Sequence, residues 1–373
     1  MLVLLGHAVR PGIAMGQTTA PNTLRDAATA YQSGDVKTAI RLYGDFVKDH
    51  PDAAEVRSNL GAALVRDGQF APAIEEYRKA LEQLPNNPKV RMNLALAYYK
   101  LGRHQEAIQV LEVLHESQPL ELKPALLMAD CLLQTGQAQK AIDLLTPLEE
   151  EYADDRAILY LLGTAMLKLN RSAEARAILD RIGREGESAE SAYLAGQSEY
   201  LAQNPVAAAN HLARAVELNP NLPGVHSLYG QVLRSAGRID AATEQFREEL
   251  KVNPFDFLAN AETAMLMKQD GKLDEALALI EKALQVRPND PGALYQRASI
   301  HLMQGKTEQA REELEGLTRS NPEFSEAHAG LATVYYRLKR TADGDRERAA
   351  ARTTQQEAEK RLEESHKRPS SAR

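Results

Sequence analysis

A chain of 373 residues would ordinarily fold into about two or three globular domains. Its net charge of −7 at pH 7 excludes the strongly basic balance of most nucleic-acid-binding domains, so we expect no nucleic-acid partner. The single cysteine, Cys131, excludes an internal disulfide, and we expect it to be a buried, inert thiol.

The chain begins with an apolar segment, residues 1–19. The run MLVLLGHAV leads to Ala14-Met15-Gly16, a small-residue cleavage pattern, although no Lys or Arg precedes the run and Arg10-Pro11 interrupts it. We therefore expect export, for example to the periplasm, with cleavage after Gly16. A cytoplasmic protein with a disordered N-terminal tail is the alternative. The run is much shorter than the ~20 residues that a membrane-spanning helix needs, so we expect no membrane span.

From residue 20 onward the sequence has two columns of small residues. Neighbours in the first column are 34 residues apart, except for a spacing of 33 between Ala175 and Ala208. The members of this column are Ala39, Ala73, Ala107, Ala141, Ala175, Ala208, Ala242, Ala276, Ala310 and Gly344. The second column is Ala27, Gly61, Ala95, Ala129, Gly163, Gly196, Gly230, Ala264, Ala298 and Ala332. Small residues at a fixed period indicate the points where two helices of a repeated pair cross, because larger side chains would overpack the crossing.

Glycine and proline divide each period. In residues 68–85, Gly68 can take the left-handed conformation that ends a helix, and Pro85 blocks the continuation of the next one. Apolar residues between them recur at three- and four-residue steps and so share one helix face. In the sixth period Gln203-Asn204-Pro205 replaces the glycine turn, and we expect Asn204 to supply the left-handed residue. The pattern predicts two antiparallel helices in each period.

The period and its columns resemble the tetratricopeptide repeat (TPR), a helix–turn–helix unit of about 34 residues. The resemblance covers residues 20–358 as ten repeats, which start near Ala20, Ala54, Pro88, Leu122, Arg156, Ala189, Pro223, Phe257, Pro291 and Ser325. It implies an all-α fold, a right-handed TPR α-solenoid of stacked antiparallel helix pairs. The chain departs from the family at repeat position 4, where a frequent Trp is absent, and at position 7, which is Asp26 and Arg297 in two repeats.

Two further features concern the boundaries of the solenoid. The phase slips by one residue near residues 183–188, which indicates either a hinge or a tolerated loop deletion. After Asp343 the sequence becomes polar, and this predicts a C-terminal capping helix that keeps the end of the stack soluble. We expect residues 359–373 to form the polar end of that helix and a disordered tail.

No catalytic motif is present in the sequence. A Walker loop, a dinucleotide fingerprint, a nucleophile elbow and H-E-x-x-H are all absent, and the nine histidines are scattered. Carboxylate pairs such as Glu248-Glu249 are expected on exposed helix faces. We therefore predict that the protein is not an enzyme and that it has no catalytic residues, no metal ligands and no cofactor.

In TPR proteins, positions 2, 5, 9, 12 and 13 of the first helix face a concave groove that holds a peptide. In this register seven of the 13 tyrosines fall on these positions, together with eight basic and four acidic residues. The predicted peptide-binding groove comprises Tyr99, Lys100, Lys123, Tyr160, Lys168, Tyr193, Gln197, Tyr200, Gln231, Arg234, Lys268, Tyr295, Tyr336 and Arg337. Tyrosine is common in binding hot spots, although the same rings could instead pack between successive helices.

The sequence thus predicts a non-catalytic protein–protein interaction scaffold. Its tyrosine-rich, mildly basic groove would hold a partner peptide or protein segment, and the charge favours acidic groups or a free carboxylate on that partner. The alternative is a structural assembly factor that self-associates or docks on an envelope complex. The pattern leaves the oligomeric state open.

Overall fold

The computed structural model describes residues 22–184 and 186–367. In these residues the chain forms twenty α-helices and no β-strand, which confirms the predicted all-α class. The predicted signal segment lies outside the described residues, as do residue 185 of the predicted hinge and residues 368–373 of the predicted tail. The chain divides into two compact units between Asp256 and Phe257, and each is described by itself below. A hinge at 183–188 stays a prediction.

Unit 1 contains the first fourteen helices. They are α1 (Asn22–Ser33), α2 (Val36–Asp49), α3 (Ala54–Arg66), α4 (Phe70–Gln83), α5 (Pro88–Lys100), α6 (His104–Ser117), α7 (Leu122–Gln134), α8 (Ala138–Glu151), α9 (Arg156–Lys168), α10 (Ser172–Gly183), α11 (Ala189–Leu201), α12 (Pro205–Leu218), α13 (Val225–Ser235) and α14 (Ile239–Val252). Odd-numbered helices are called A and even-numbered helices B. Each A helix packs against the B helix that follows it, and each B helix packs against the next A helix.

Unit 2 repeats this arrangement with six helices. They are α15 (Phe257–Gln269), α16 (Leu273–Val286), α17 (Pro291–Met303), α18 (Thr307–Ser320), α19 (Ser325–Arg337) and α20 (Thr341–Lys367). The last helix is polar along its length and packs against α19, where the Tyr336 ring lies over Gly344. It is the predicted capping helix.

The two small-residue columns lie where the predicted helix crossings are. A β-carbon built on Gly61 would be 2.7 Å from the Tyr77 ring, and one built on Gly230 would be 2.6 Å from the Phe246 ring. Both rings are fully buried against the glycine backbone. In the other column, Ala276 has no exposed surface. The small residues are therefore required by the close approach of A and B helices, as the sequence predicted.

The turn of the sixth repeat differs from the expectation. Gln203, not Asn204, has the positive φ of 60°. Asn204 instead caps α12, because its side-chain oxygen accepts a hydrogen bond from the Ala207 N–H at 3.4 Å. The prediction was wrong because a residue directly before a proline is disfavoured in helical conformations and suits the extended N-cap position.

Repeat position 4 has a structural role that does not need Trp. In four repeats its side chain donates to the carbonyl of the proline that ends the preceding repeat. The donor–acceptor pairs are Arg57–Pro51 at 3.0 Å, Arg91–Pro85 at 3.1 Å, His226–Pro220 at 2.9 Å and His328–Pro322 at 3.1 Å. Arg57 also pairs with Glu76 at 2.7 Å, on the B helix. At repeat position 7 of the ninth repeat, Arg297 likewise pairs with a carboxylate on the B helix, Glu313, at 3.0 Å.

Candidate protein-binding surface

The A helices α9 and α11 lie side by side in unit 1. We use the name A-helix face for the surface formed there by Tyr160, Thr164, Lys168, Tyr193, Gln197 and Tyr200. The Tyr160 and Tyr193 rings meet edge to face, with centroids 5.5 Å apart. Thr164 and Gln197 follow one helical turn later, and Lys168 and Tyr200 lie near the helix ends. Equal repeat positions on neighbouring helices are thus brought together, as the period requires.

The loop before α13 covers the two tyrosine rings. The Tyr160 hydroxyl donates to the Pro223 carbonyl at 3.2 Å, and the Tyr193 hydroxyl lies 3.6 Å from the site of a β-carbon on Gly224. Gly224 has a φ of 81°, so the chain turns there and α13 begins at Val225, two residues after the predicted start of the repeat. Both rings are buried as a result.

A carboxylate holds this loop in place. Glu249 is completely buried and accepts hydrogen bonds from the Gly224 N–H at 2.9 Å and the Ser227 N–H at 3.3 Å. The hydroxyl of Ser227 donates to Asp256 at 2.6 Å, and Asp256 is also buried. Burial and the neighbouring charge of Asp256 raise the pKa of Glu249 to about 8, although the backbone donors oppose this shift.

The expectation that Glu249 lies on an exposed helix face was wrong. Glu249 occupies repeat position 27, which is apolar in the other repeats, for example Leu114, Leu148 and Ile182. The physical reason for its burial is the loop before α13, whose backbone N–H groups supply the partners that a buried carboxylate needs. A single charged residue at a repeat position that is otherwise apolar was the sequence signal that could have identified Glu249.

A second buried pair lies in the third and fourth repeats. The Tyr99 hydroxyl donates to Asp130 at 2.6 Å. Burial, and then the charge of Asp130, raises the pKa of Tyr99, and burial raises the pKa of Asp130. Burial lowers the pKa of the adjacent Lys100 ammonium group. Asp130, Glu249 and Asp256 are therefore carboxyl groups buried beneath a surface predicted to be mildly basic.

The predicted groove residues differ widely in exposure. Tyr99, Tyr160 and Tyr193 are buried and make contacts within the chain, which agrees with the packing interpretation for these three rings. Lys100, Gln197, Tyr200, Gln231, Arg234, Lys268 and Tyr295 are half-buried, whereas Lys123, Lys168, Tyr336 and Arg337 are exposed. Their binding of a partner stays a prediction.

The predicted residues of unit 2 contact neighbouring helices of that unit. Lys268 donates to Gln296 and to Ser299, the latter at 3.4 Å, and burial lowers its pKa. The Tyr295 ring meets Phe324 edge to face at 5.9 Å. Two other predicted groove residues lie on α19 and also make contacts within unit 2. The Tyr336 hydroxyl donates to Asp345 at 2.8 Å, and Arg337 donates to the Leu302 carbonyl at 3.2 Å.

Two other kinds of feature find no support in the described residues. In that part of the chain, no three or more His, Cys, Asp or Glu side chains are grouped so that they could hold a metal ion. None of the described helices combines the length and the apolar composition needed to cross a membrane.

Stacked helix pairs whose A helices share one face define a helical-repeat protein of the α-solenoid class. Two family models described as "Tetratricopeptide repeat" match the sequence, one at residues 64–131 and 268–334 and the other at residues 25–88 and 229–293. The chain belongs to the tetratricopeptide-repeat family, whose members serve as protein-interaction scaffolds. A third model, described as "Anaphase-promoting complex, cyclosome, subunit 3", matches residues 110–182.

The other comparisons concern whole proteins. No curated protein matches this chain in sequence. A solved structure, the crystal structure of the APC/C hetero-tetramer Cut9-Hcn1, is similar with a TM-score of 0.56 and 12% identity. The similarity covers 89% of this chain and 80% of the other chain. At this identity it shows the shared fold alone.

Proposed function

We propose that this protein is a non-catalytic scaffold that holds an extended segment of a partner protein on the A-helix face of unit 1. One observation carries the proposal. The Thr164 hydroxyl and the Gln197 side-chain oxygen are both buried, and neither has a hydrogen-bond partner among the residues that the structure describes. Thr164 is only 6% exposed. Both residues occupy repeat position 9, on the adjacent helices α9 and α11.

Unpaired polar atoms at such a place favour a binding role. A buried polar group without a partner costs about 1–3 kcal/mol, so one that persists in a native fold needs an explanation. An extended peptide presents alternating carbonyl and N–H groups. A carbonyl could accept from the Thr164 hydroxyl, and an N–H could donate to Gln197. The two atoms therefore fit the backbone of a bound segment, in keeping with the family's use of this surface.

The surroundings favour one chemistry for the partner. Lys168 is exposed at the end of α9, one turn beyond Thr164, and supports an acidic group on the partner at that end. Tyr200 is half-buried on α11 and offers an aromatic edge. The Tyr160–Tyr193 pair lies at the other end beneath the loop before α13, so a segment that reached these rings would have to displace that loop.

The test uses substitutions that remove the unpaired atoms without removing volume. We expect the Thr164→Val/Gln197→Leu variant to lose at least tenfold in affinity for a partner identified by cross-linking in the native host, measured by calorimetry with the purified partner. Its thermal stability should be unchanged or higher, because two unsatisfied polar groups are gone. The matched control is Thr243→Val/Gln139→Leu, at a half-buried and an exposed position of B helices, which should bind like the wild type.

Two outcomes would contradict the proposal. Unchanged affinity in the Thr164→Val/Gln197→Leu variant would show that this face does not hold the partner. A stable oligomer in light scattering, with no partner bound, would favour the assembly-factor alternative.

We also propose that the protein is exported, and the N-terminal sequence of the mature protein tests this. A first residue of Gln17 requires cleavage after Gly16, whereas a first residue of Met1 excludes that cleavage.

A further inference from the structure

One turn glycine in unit 1 is covered by a distant residue. Seven repeats have a glycine of positive φ between helix A and helix B: Gly34, Gly68, Gly102, Gly136, Gly237, Gly271 and Gly305. Among these seven described turns, only Gly102 is buried. The side chain of Phe255 covers it so closely that a β-carbon on Gly102 would clash with the ring. Phe255 comes from the loop after α14, so the last loop of unit 1 returns to its third repeat.

The residue after Phe255 makes a second long-range contact. The loop is held as a turn, because Asn253 accepts from the Phe255 N–H at 3.2 Å and from the Asp256 N–H at 3.0 Å. Asp256 is 5% exposed and accepts from the Ser227 hydroxyl at 2.6 Å, on α13. An aromatic residue and the carboxylate beside it thus occupy two separate places on the same unit.

These contacts are continuous with the A-helix face. Ser227, which donates its hydroxyl to Asp256, also donates its N–H to Glu249. Glu249 in turn holds the N–H of Gly224, the glycine that lies over the Tyr193 hydroxyl. Phe255 is half-buried, so part of its side chain still contacts solvent, where a competing side chain can approach it. Asp256 is also the last residue of unit 1, so the segment lies at the end of that unit.

We propose that Phe255 and Asp256 act as an internal ligand, and that the partner of unit 1 presents the same chemistry: an aromatic residue followed directly by a carboxylate. The inference rests on the proposed function and specifies its partner. Gly102 would receive the partner's ring, and Ser227 would donate to the partner's carboxylate. A tethered segment competes at an effective concentration on the order of millimolar, so the free protein holds this place closed until a stronger ligand arrives.

The test supplies the segment in trans. The probe is a fluorescein-labelled peptide with the sequence of residues 251–258, KVNPFDFL, and the readout is fluorescence anisotropy. We expect the full-length Phe255→Ala/Asp256→Ala variant to bind this peptide at least tenfold more tightly than the wild type does. Peptides that carry Phe255→Ala or Asp256→Asn should bind the variant at least tenfold more weakly. Circular dichroism confirms that the variant is folded.

A second measurement tests the receiving place. Gly102 has a φ of 69°, and a β-carbon there would lie 2.4 Å from the Phe255 ring, so Gly102→Ala obstructs the place that the partner's ring would occupy. We expect the Gly102→Ala/Phe255→Ala/Asp256→Ala protein to bind the peptide at least tenfold more weakly than the Phe255→Ala/Asp256→Ala protein does. The matched control is Gly136→Ala in the same background, at an exposed turn glycine with open space around it, and it should leave the binding unchanged.

The outcomes separate the two proposals. No binding of the peptide to the Phe255→Ala/Asp256→Ala protein, or equal binding to that protein and to the wild type, would overturn the internal-ligand inference. If the peptide fails but the Thr164→Val/Gln197→Leu variant still loses its partner, the scaffold function stands and only the partner chemistry is wrong. If the peptide binds as expected and that variant keeps full affinity, the partner uses the Gly102 and Ser227 places without the A-helix face.

Discussion

The Tyr160 hydroxyl donates a hydrogen bond to the Pro223 carbonyl, 3.2 Å away and two repeats further along the chain. This bond joins α9 to the loop before α13, so contacts in unit 1 extend beyond neighbouring repeats. A simple solenoid is stabilised only by each repeat and its neighbours. In unit 1, the loops after α12 and α14 add long-range contacts to that arrangement.

Removal of the Tyr160 hydroxyl should loosen the loop and leave the helices in place. We expect Tyr160→Phe to lower the free energy of unfolding by about 0.5–1.5 kcal/mol, the usual worth of one such hydrogen bond. Hydrogen exchange should accelerate at Asn221 and Leu222 and stay unchanged in α9. The matched control is Tyr152→Phe, whose exposed hydroxyl donates to the Leu120 carbonyl at 3.4 Å, and it should change neither quantity. Equal effects of the two variants would contradict the role of Tyr160.

The buried Glu249 carboxyl predicts a pH dependence of stability. Its pKa is about 8 in the folded protein against 4.5 for the free side chain, so between these pH values the folded state holds one more proton than the unfolded state. The free energy of unfolding should therefore fall as the pH rises from about 5 to about 8, and level off above that. Urea unfolding at each pH measures this trend.

Two variants assign the trend to Glu249. Glu249→Gln cannot ionise and should flatten the profile between pH 5 and pH 8. Asp256→Asn removes the neighbouring charge that raises the pKa of Glu249, and it should shift the fall in stability to lower pH. Glu248→Gln is the matched control, because Glu248 pairs with Lys251 at 2.5 Å on the solvent side and its pKa is lowered by that bond. A wild-type profile that is flat over this range would contradict the assignment.

The helix crossings give a matched pair of glycine substitutions. A β-carbon on Gly230 would be 2.6 Å from the Phe246 ring, which is fully buried. We expect Gly230→Ala to lower the free energy of unfolding by about 1–3 kcal/mol. Gly316 lies inside α18 with nothing within 4 Å of a β-carbon, so Gly316→Ala should raise stability by about 0.5–1 kcal/mol. Opposite signs in thermal unfolding check the prediction, and two stabilising changes would contradict it.

The structural features that were predicted from the sequence recur in every repeat, and the features that were missed occur only once. Ala276 and Gly230 could be placed at helix crossings because their columns recur in every period, and each crossing is built from residues close in the chain. The contact of Phe255 with Gly102 joins the seventh repeat to the third, and no period encodes it. The burial of Glu249 depends on the loop before α13, which is unique to one repeat. In the candidate site, the register placed Tyr160 and Tyr193 at the same repeat position, and the structure brings their rings together, but the loop that covers them was not foreseen.

The side chains at repeat position 4 provide the last prediction. Arg57 joins two elements at once, since it donates to the Pro51 carbonyl at 3.0 Å and pairs with Glu76 at 2.7 Å, with both side chains less than one-sixth exposed. We expect Arg57→Met to lower the free energy of unfolding by about 1.5–3 kcal/mol, because it leaves a largely buried carboxylate without this partner. Arg57→Met/Glu76→Met should recover part of that loss, since no lone charge remains. Arg78→Met, which removes an exposed pair with Glu75 at 3.7 Å, should cost less than about 0.5 kcal/mol. Urea unfolding of the four proteins decides the matter, and a loss in Arg57→Met no larger than in Arg78→Met would show that position 4 does not tie adjacent repeats together.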